Sequence, residues 1–172
     1  MRGIYNNEKS YIESYWSQYG TDIYFTSDSA FKDEHGLIKI VGRTDDTLKI
    51  AGHRISTGEI ENAAGKTQNI LESAVIGVPD ELKGETAVIF VICKNNQNLE
   101  QTTQDVILEI KKEIGPIAQP KEIFIVEEFP KTKSGKTMRG ILKKIYLSQD
   151  LGDLAVVSNP ESIEKIRSII HK

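Results

Sequence analysis

Apolar and polar positions along the chain change period from block to block, and each period names an element. "TLKI" and "HRI" flank the two residues "AG", the signal of a compact β-hairpin. "STGEIENAAGK" follows, with Ser56 and Glu59 three apart, the spacing of a capping box that opens a helix. "ILESAVIGVPD" reads as a strand ending in a turn. "ETAVIFVICK" reads as a second strand whose unbroken apolar run predicts burial on both faces. In "TTQDVILEIKKEIG", Val106, Ile107, Ile110 and Ile114 recur at helical spacing until Gly115 and Pro116 stop the helix. "KEIFIVEEF" predicts another strand. "TMRGILKKIYL" predicts a helix with Met138, Ile141, Leu142 and Ile145 inward, and a last helix starts near Glu161. The order hairpin, α, β, β, α, β, α predicts an α+β fold, a small sheet with flanking helices on one side of it.

Residues 1–44 follow no such order. They read as irregular segments with a strand at "DIYFTSD", a turn at "KDEHGL" and a second strand at "LIKIVGR". Two short strands cannot bury a core alone, so this part is expected to belong to something larger.

Composition narrows the class. The chain has 172 residues, 38% hydrophobic and 27% charged, with a net charge of −3, an ordinary globular balance. That charge gives no general attraction to nucleic acid or to an anionic membrane. The longest apolar run, Ala87–Cys93, is too short to span a bilayer, and the first ten residues hold no apolar signal core. A single cysteine, Cys93, excludes an internal disulfide and makes the cytoplasm the default compartment.

Against this acidic background the stretch "EEFPKTKSGKTMRG", Glu127–Gly140, stands out, because lysines crowd an elbow of Pro, Thr, Ser and Gly between a strand and a helix. "GKT" at Gly135–Thr137 invites a phosphate-binding P-loop. That motif needs a glycine at position 130, where Pro130 stands. A nucleic-acid patch fits no better, since only Tyr146 offers an aromatic platform beside Arg139, Lys143 and Lys144.

"PKTKSGKTMRG" resembles the C-terminal signature of the AMP-forming acyl-CoA synthetases. "GRTDDTLKIAGHRISTGEIENA" resembles the hinge and hairpin of the same family, and "YFTSDSAFKDEHGLIKIVGR" the segment before that hinge. "KKEIGPIAQPKEIFIVEEFPKTKSGK" and the closing "LGDL" resemble its acetyl- and propionyl-CoA synthetases. The resemblance covers essentially the whole chain.

The resemblance implies a two-step reaction. A carboxylate, acetate or another short acid, joins ATP as an acyl-adenylate, and a mobile C-terminal lid then rotates and passes the acyl group to CoA. It assigns residues 1–44 to the end of a large N-terminal domain and 45–172 to the lid, with Asp45 at the hinge. Lys136 becomes the catalytic lysine of the first step, and the target of a lysine acetyltransferase and deacetylase. Lys131, Lys133 and Arg139 are left as recognition or surface charge. Asp28, Arg43 and Arg54 become ATP or AMP ligands. Ala51 and Gly52 line the CoA tunnel, and Lys111 contacts the CoA nucleotide where relatives carry arginine. Gly65, Thr67 and Ile70 match positions where some relatives hold Mg²⁺, with Thr67 in place of a histidine. ATP, CoA and Mg²⁺ are the implied cofactors. The large domain's phosphate loop and its adenine and acyl pockets have no counterpart in these residues, so the chain alone is expected to be inactive. The alternative is a free-standing binding or regulatory module that kept the lid fold.

Overall fold

The computed structural model describes residues 3–44, 46–95 and 98–171. The chain divides into two compact units, Met1–Asp45 and Asp46–Lys172.

The first unit departs from the sequence expectation at its start. A helix, α1 (Glu8–Tyr15), forms where only irregular chain and strands are predicted. The side chain of Asn7 accepts from the amide of Ser10 at 3.1 Å and so caps it. Its apolar positions are few, which is why no helical period is legible there. The strand expected at "DIYFTSD" is displaced. β1 (Asp28–Lys32) begins where that run ends and pairs antiparallel with β2 (Ile38–Arg43). Residues 22–27 are claimed by other contacts: the Phe25 amide donates to the Tyr15 carbonyl, Tyr24 stacks on Tyr15 at 5.3 Å, and Ser27 takes a left-handed backbone with φ +63. Phe31, Ile38 and Ile40 are exposed on this strand pair and Leu37 just before β2, with Ile38 at 72%.

The second unit is built on the long antiparallel pair β5 (Ile70–Asp80) and β6 (Gly84–Cys93), in register from Asp80 opposite Gly84 to Glu72 opposite Ile92, with a shift before Ile70 opposite Cys93. Asp80 makes the turn, its carboxylate accepting from the amides of Leu82 and Lys83, and these bonds hold its pKa below the ordinary value. The hairpin β3 (Thr47–Ile50) and β4 (His53–Ser56) joins β6 through Ile50 opposite Gly84. β7 (Glu122–Ile125) runs parallel to β6 at residues 88–91. The helices are α2 (Thr57–Gly65), α3 (Leu99–Glu113), α4 (Arg139–Tyr146) and α5 (Glu161–Ile170). The capping box forms as expected: the Ser56 amide donates to the Glu59 carboxylate at 2.9 Å.

The helices cover both faces of the sheet, not one. Alternate residues of β6 point to opposite sides. Ala87, Ile89 and Val91 pack with Ile60 and Ala63 of α2 and Val106 and Ile110 of α3. Val88 and Phe90 pack with Ile141, Leu142 and Ile145 of α4 and Ile163 and Ile166 of α5. The unbroken apolar run of β6 already demanded this. A strand buried on both faces needs a layer on each.

The two-residue turn of the β3–β4 hairpin is made by Ala51 and Gly52, both left-handed, with φ +47 and +84. The left-handed region costs a non-glycine residue about 1–2 kcal/mol. A glycine's extra freedom in the unfolded chain returns about 0.4–1 kcal/mol of that. Ala51→Gly is therefore expected to stabilise the second unit by roughly 0.5–1 kcal/mol, read as a higher denaturant midpoint. A lower midpoint would mean that Ala51 is not strained. Among the described residues no helix is long and apolar enough to cross a membrane.

Candidate functional site

The basic elbow is a closed, hydrogen-bonded turn. Lys131 pairs opposite Thr137, and the Thr132 amide donates to the Lys136 carbonyl at 2.9 Å. Inside it the Gly135 amide donates to the Thr132 carbonyl at 2.8 Å, and the Lys136 amide to the Thr132 hydroxyl at 3.1 Å. Gly135 has φ +83, a value that favours glycine at this point of the turn. The Met138 amide donates to the Pro130 carbonyl at 2.8 Å and closes the base. Lys136 is exposed at the tip, and within the second unit its ammonium has no ion-pair partner among the described residues.

The root of the elbow is bolted down at several points. Asn159, just before α5, accepts from the Lys131 amide at 2.9 Å. Its own amide donates to Glu128 Oε2 and to the Phe129 carbonyl, both at 2.8 Å. The Ser158 amide and hydroxyl both donate to the Lys131 carbonyl. The Lys131 ammonium donates to Glu72 of β5 at 2.8 Å. Arg139, the first residue of α4, grips Glu61 of α2 with two bonds, Nε to Oε1 at 2.7 Å and Nη2 to Oε2 at 2.6 Å. The bonded carboxylate raises the Arg139 pKa above its ordinary value against the opposing effect of burial. Lys131 and Arg139 are thus structural ion pairs, whereas the sequence suggested recognition or surface charge. Lys133 remains exposed. Sequence reasoning missed Glu61, Glu72 and Asn159. No local signal could have found the first two, because their partners lie 78 and 59 positions away.

The other predicted residues fall in separate places. In the first unit Asp28 and Arg43 are directly opposite one another across β1 and β2. Ser27 accepts from the Thr44 amide at 2.8 Å and shapes the approach to Asp28. Asp45, the expected hinge, lies outside the described residues. In the second unit Ala51, Gly52 and Arg54 are exposed at the hairpin tip. The Ala51 amide donates to the Lys83 carbonyl at 2.8 Å, tying that tip to the β5–β6 turn. A methyl group built on Gly52 would meet nothing within 4 Å, so the backbone there is open to a passing chain. Lys111 is exposed on α3.

Gly65, Thr67 and Ile70 lie on the connection from α2 into β5. The Thr67 hydroxyl is buried and has no hydrogen-bond partner, while its carbonyl accepts from the Ile70 amide at 3.0 Å. The donors these positions offer are one neutral hydroxyl and backbone carbonyls. No group of three or more His, Cys, Asp or Glu that could hold a metal exists among the described residues. A protein site for Mg²⁺ ordinarily supplies carboxylates, so this donor set does not fit that ion.

The elbow and the hairpin tip sit at opposite ends of the long β5–β6 ladder. The elbow is anchored at Glu72, opposite Ile92, and the hairpin joins at Gly84, beside the turn after Asp80. At a rise of about 3.3 Å per residue, residues 72 and 80 are about 26 Å apart.

Residues 59–136 match the family described as the AMP-binding enzyme C-terminal domain. The chain is 42% identical over 173 residues to acetyl-coenzyme A synthetase 1 of Debaryomyces hansenii, covering 98% of this chain and 26% of that protein. It is 40% identical over 176 residues to the acetyl-coenzyme A synthetase of Methanothrix thermoacetophila, covering 99% of this chain and 26% of that one. The chain thus spans about a quarter of the length of these relatives. In fold it is similar to acetoacetyl-CoA synthetase from Streptomyces lividans, with a TM-score of 0.81 and 22% identity, over 96% of this chain and 25% of that one. A matched family model and near-complete coverage of this chain by two synthetases lead to one assignment: residues 59–136 carry an AMP-binding enzyme C-terminal domain, and the chain as a whole is similar to the C-terminal region of acetyl-coenzyme A synthetases.

Proposed function

We propose that this chain is the lid of an acetyl- or short-chain acyl-CoA synthetase. The observation that carries the reading is the placement of two exposed, chemically different loops at opposite ends of one rigid sheet. One end presents the free ammonium of Lys136 and the other the open Gly52 backbone.

In the first step a carboxylate oxygen attacks the α-phosphorus of ATP, the bond to the β-phosphate oxygen breaks, and pyrophosphate leaves. Two anions meet, and charge builds on the phosphoryl oxygens. An ammonium held there stabilises that charge, more strongly where water is excluded. In the second step the CoA thiol attacks the acyl carbon and AMP leaves. The elbow is proposed to have withdrawn by that step, and a backbone without a Cβ at Gly52 lets the pantetheine arm pass. The two loops are tied to β5 positions about 26 Å apart along the strand, so the unit is proposed to turn between steps to bring each in its turn to one active site, with Asp45 the proposed pivot.

Asp28 and Arg43, opposed across β1 and β2, are proposed to serve the nucleotide together, the carboxylate accepting from ribose hydroxyls and the guanidinium donating. Arg54 and Lys111 are proposed contacts to nucleotide phosphates. Mg²⁺ is proposed to travel with the ATP phosphates and not to occupy Gly65, Thr67 and Ile70. The exposed apolar residues of β1 and β2 are proposed to be covered by the large domain.

The test compares the chain alone with the chain joined to a large domain. The joined protein is expected to release pyrophosphate with ATP and acetate, and to form acetyl-CoA when CoA is added. The isolated chain is expected to do neither. Pyrophosphate release by the isolated chain, or none by the joined protein, contradicts the proposal.

A further inference from the structure

The elbow carries four cations, Lys131, Lys133, Lys136 and Arg139, yet only two of them are left to act at a distance. Lys131 is spent on Glu72 and Arg139 on Glu61, one at each end of the turn. Both carboxylates belong to the same frame. Glu72 is on β5. Glu61 stands on α2 beside the fully buried Ile60 and the nearly buried Ala63, and its Oε1 also accepts from the Val75 amide of β5 at 2.9 Å. Helices α2 and α4 pack on opposite faces of the sheet, so the Glu61–Arg139 pair reaches around the β5 edge and joins the two faces.

The geometry of this pair differs from an ordinary surface contact. Two parallel bonds between a planar fork and a carboxylate fix rotation as well as distance. Arg139 is 31% exposed and Glu61 only 14%. Arg139 follows Lys136 by less than one helical turn, so its orientation sets the direction in which the elbow leaves the sheet. At the other limb Lys131 is held by Glu72, Ser158 and Asn159. An ammonium on a long flexible stem needs such a mount, because misplacement by 1 Å costs a reaction of this kind about 10²-fold.

We infer that Glu61 and Arg139 are positioning residues for Lys136, a clamp around the β5 edge that aims the elbow for adenylation without touching substrate. The inference rests on the proposed role of Lys136.

The experiment is a double-mutant cycle in the full-length synthetase, with the two half-reactions measured separately. Glu61→Gln keeps an acceptor for the Val75 amide and removes the charge that holds Arg139. It is expected to slow acyl-adenylate formation by about 10–10²-fold, and to leave thioester formation from supplied acyl-adenylate unchanged. In a Lys136→Ala background the same change is expected to cost nothing further, since the residue it aims is gone. Arg139→Lys keeps charge without the fork and is expected to give a smaller loss of the same kind. It also serves as the test if Glu61→Gln lowers the unfolding midpoint below the assay temperature. Equal losses in both half-reactions, or a full additional loss on top of Lys136→Ala, overturn the inference and make the pair merely structural. Full adenylation by Lys136→Ala alone overturns the functional reading and this inference together.

Discussion

Lys136→Ala in the full-length synthetase is expected to lower acyl-adenylate formation by about 10²–10³-fold, the usual cost of losing one preorganised group that meets developing charge. Thioester formation from supplied acyl-adenylate is expected to proceed at the original rate, because in the proposed cycle the unit has turned by then and the elbow no longer faces the phosphate. The fold should not change, since the Lys136 side chain is exposed and only its backbone closes the turn. Acetylation of Lys136 removes the same charge and adds bulk at the same tip, so a stoichiometrically acetylated enzyme should behave like the alanine variant. Mass spectrometry after acetyltransferase treatment, paired with both half-reactions, measures this. Full adenylation at complete acetylation would exclude both the modification switch and the catalytic role.

Phe90→Ala and Ile89→Ala should be almost equally destructive, although the two side chains point in opposite directions. Both are fully buried, Ile89 under α2 and α3 and Phe90 under α4 and α5. Phe90 also stacks on Phe124 of β7 with ring centres 5.4 Å apart. Truncating a buried phenylalanine costs about 3–5 kcal/mol and a buried isoleucine about 2–5 kcal/mol. Domains of ordinary stability hold about 5–15 kcal/mol in all, so either change consumes a large part of it. Denaturant unfolding followed by far-ultraviolet circular dichroism reads both values. A cost below about 1 kcal/mol for one of the pair would mean that its face of the sheet is open to water, where substitutions are nearly neutral.

That pair also shows how the sequence was legible and where it stopped. The period of the apolar positions determined the elements of residues 46–171, because a strand or helix buries the residues its own geometry brings to one side. The capping box at Ser56 and Glu59, the two-residue turn at Ala51 and Gly52, and the stop at Gly115 were all local, each a matter of a few neighbouring residues. The motif around Lys136 was local too, so its family was readable before any fold. Helix α1 escaped because it buries none of its residues and therefore shows no period. β1 shifted because aromatic stacking and the left-handed Ser27 took up the residues that a strand pattern would have used.

Tertiary structure alone decided three things. It placed the helices on both faces of the sheet, since the period of β6 says that both sides are buried and not by what. It bolted down the root of a loop that reads as a loose basic elbow, through Asn159 and Ser158 from a segment far along the chain. And it chose which cation stays free. Lys131, Lys136 and Arg139 look alike in sequence, but Glu72 and Glu61 neutralise the first and last, and those carboxylates come from β5 and α2. Ion pairs follow distance in space, and distance in space between residues 61 and 139 exists only once the sheet has brought α2 and α4 to the same edge.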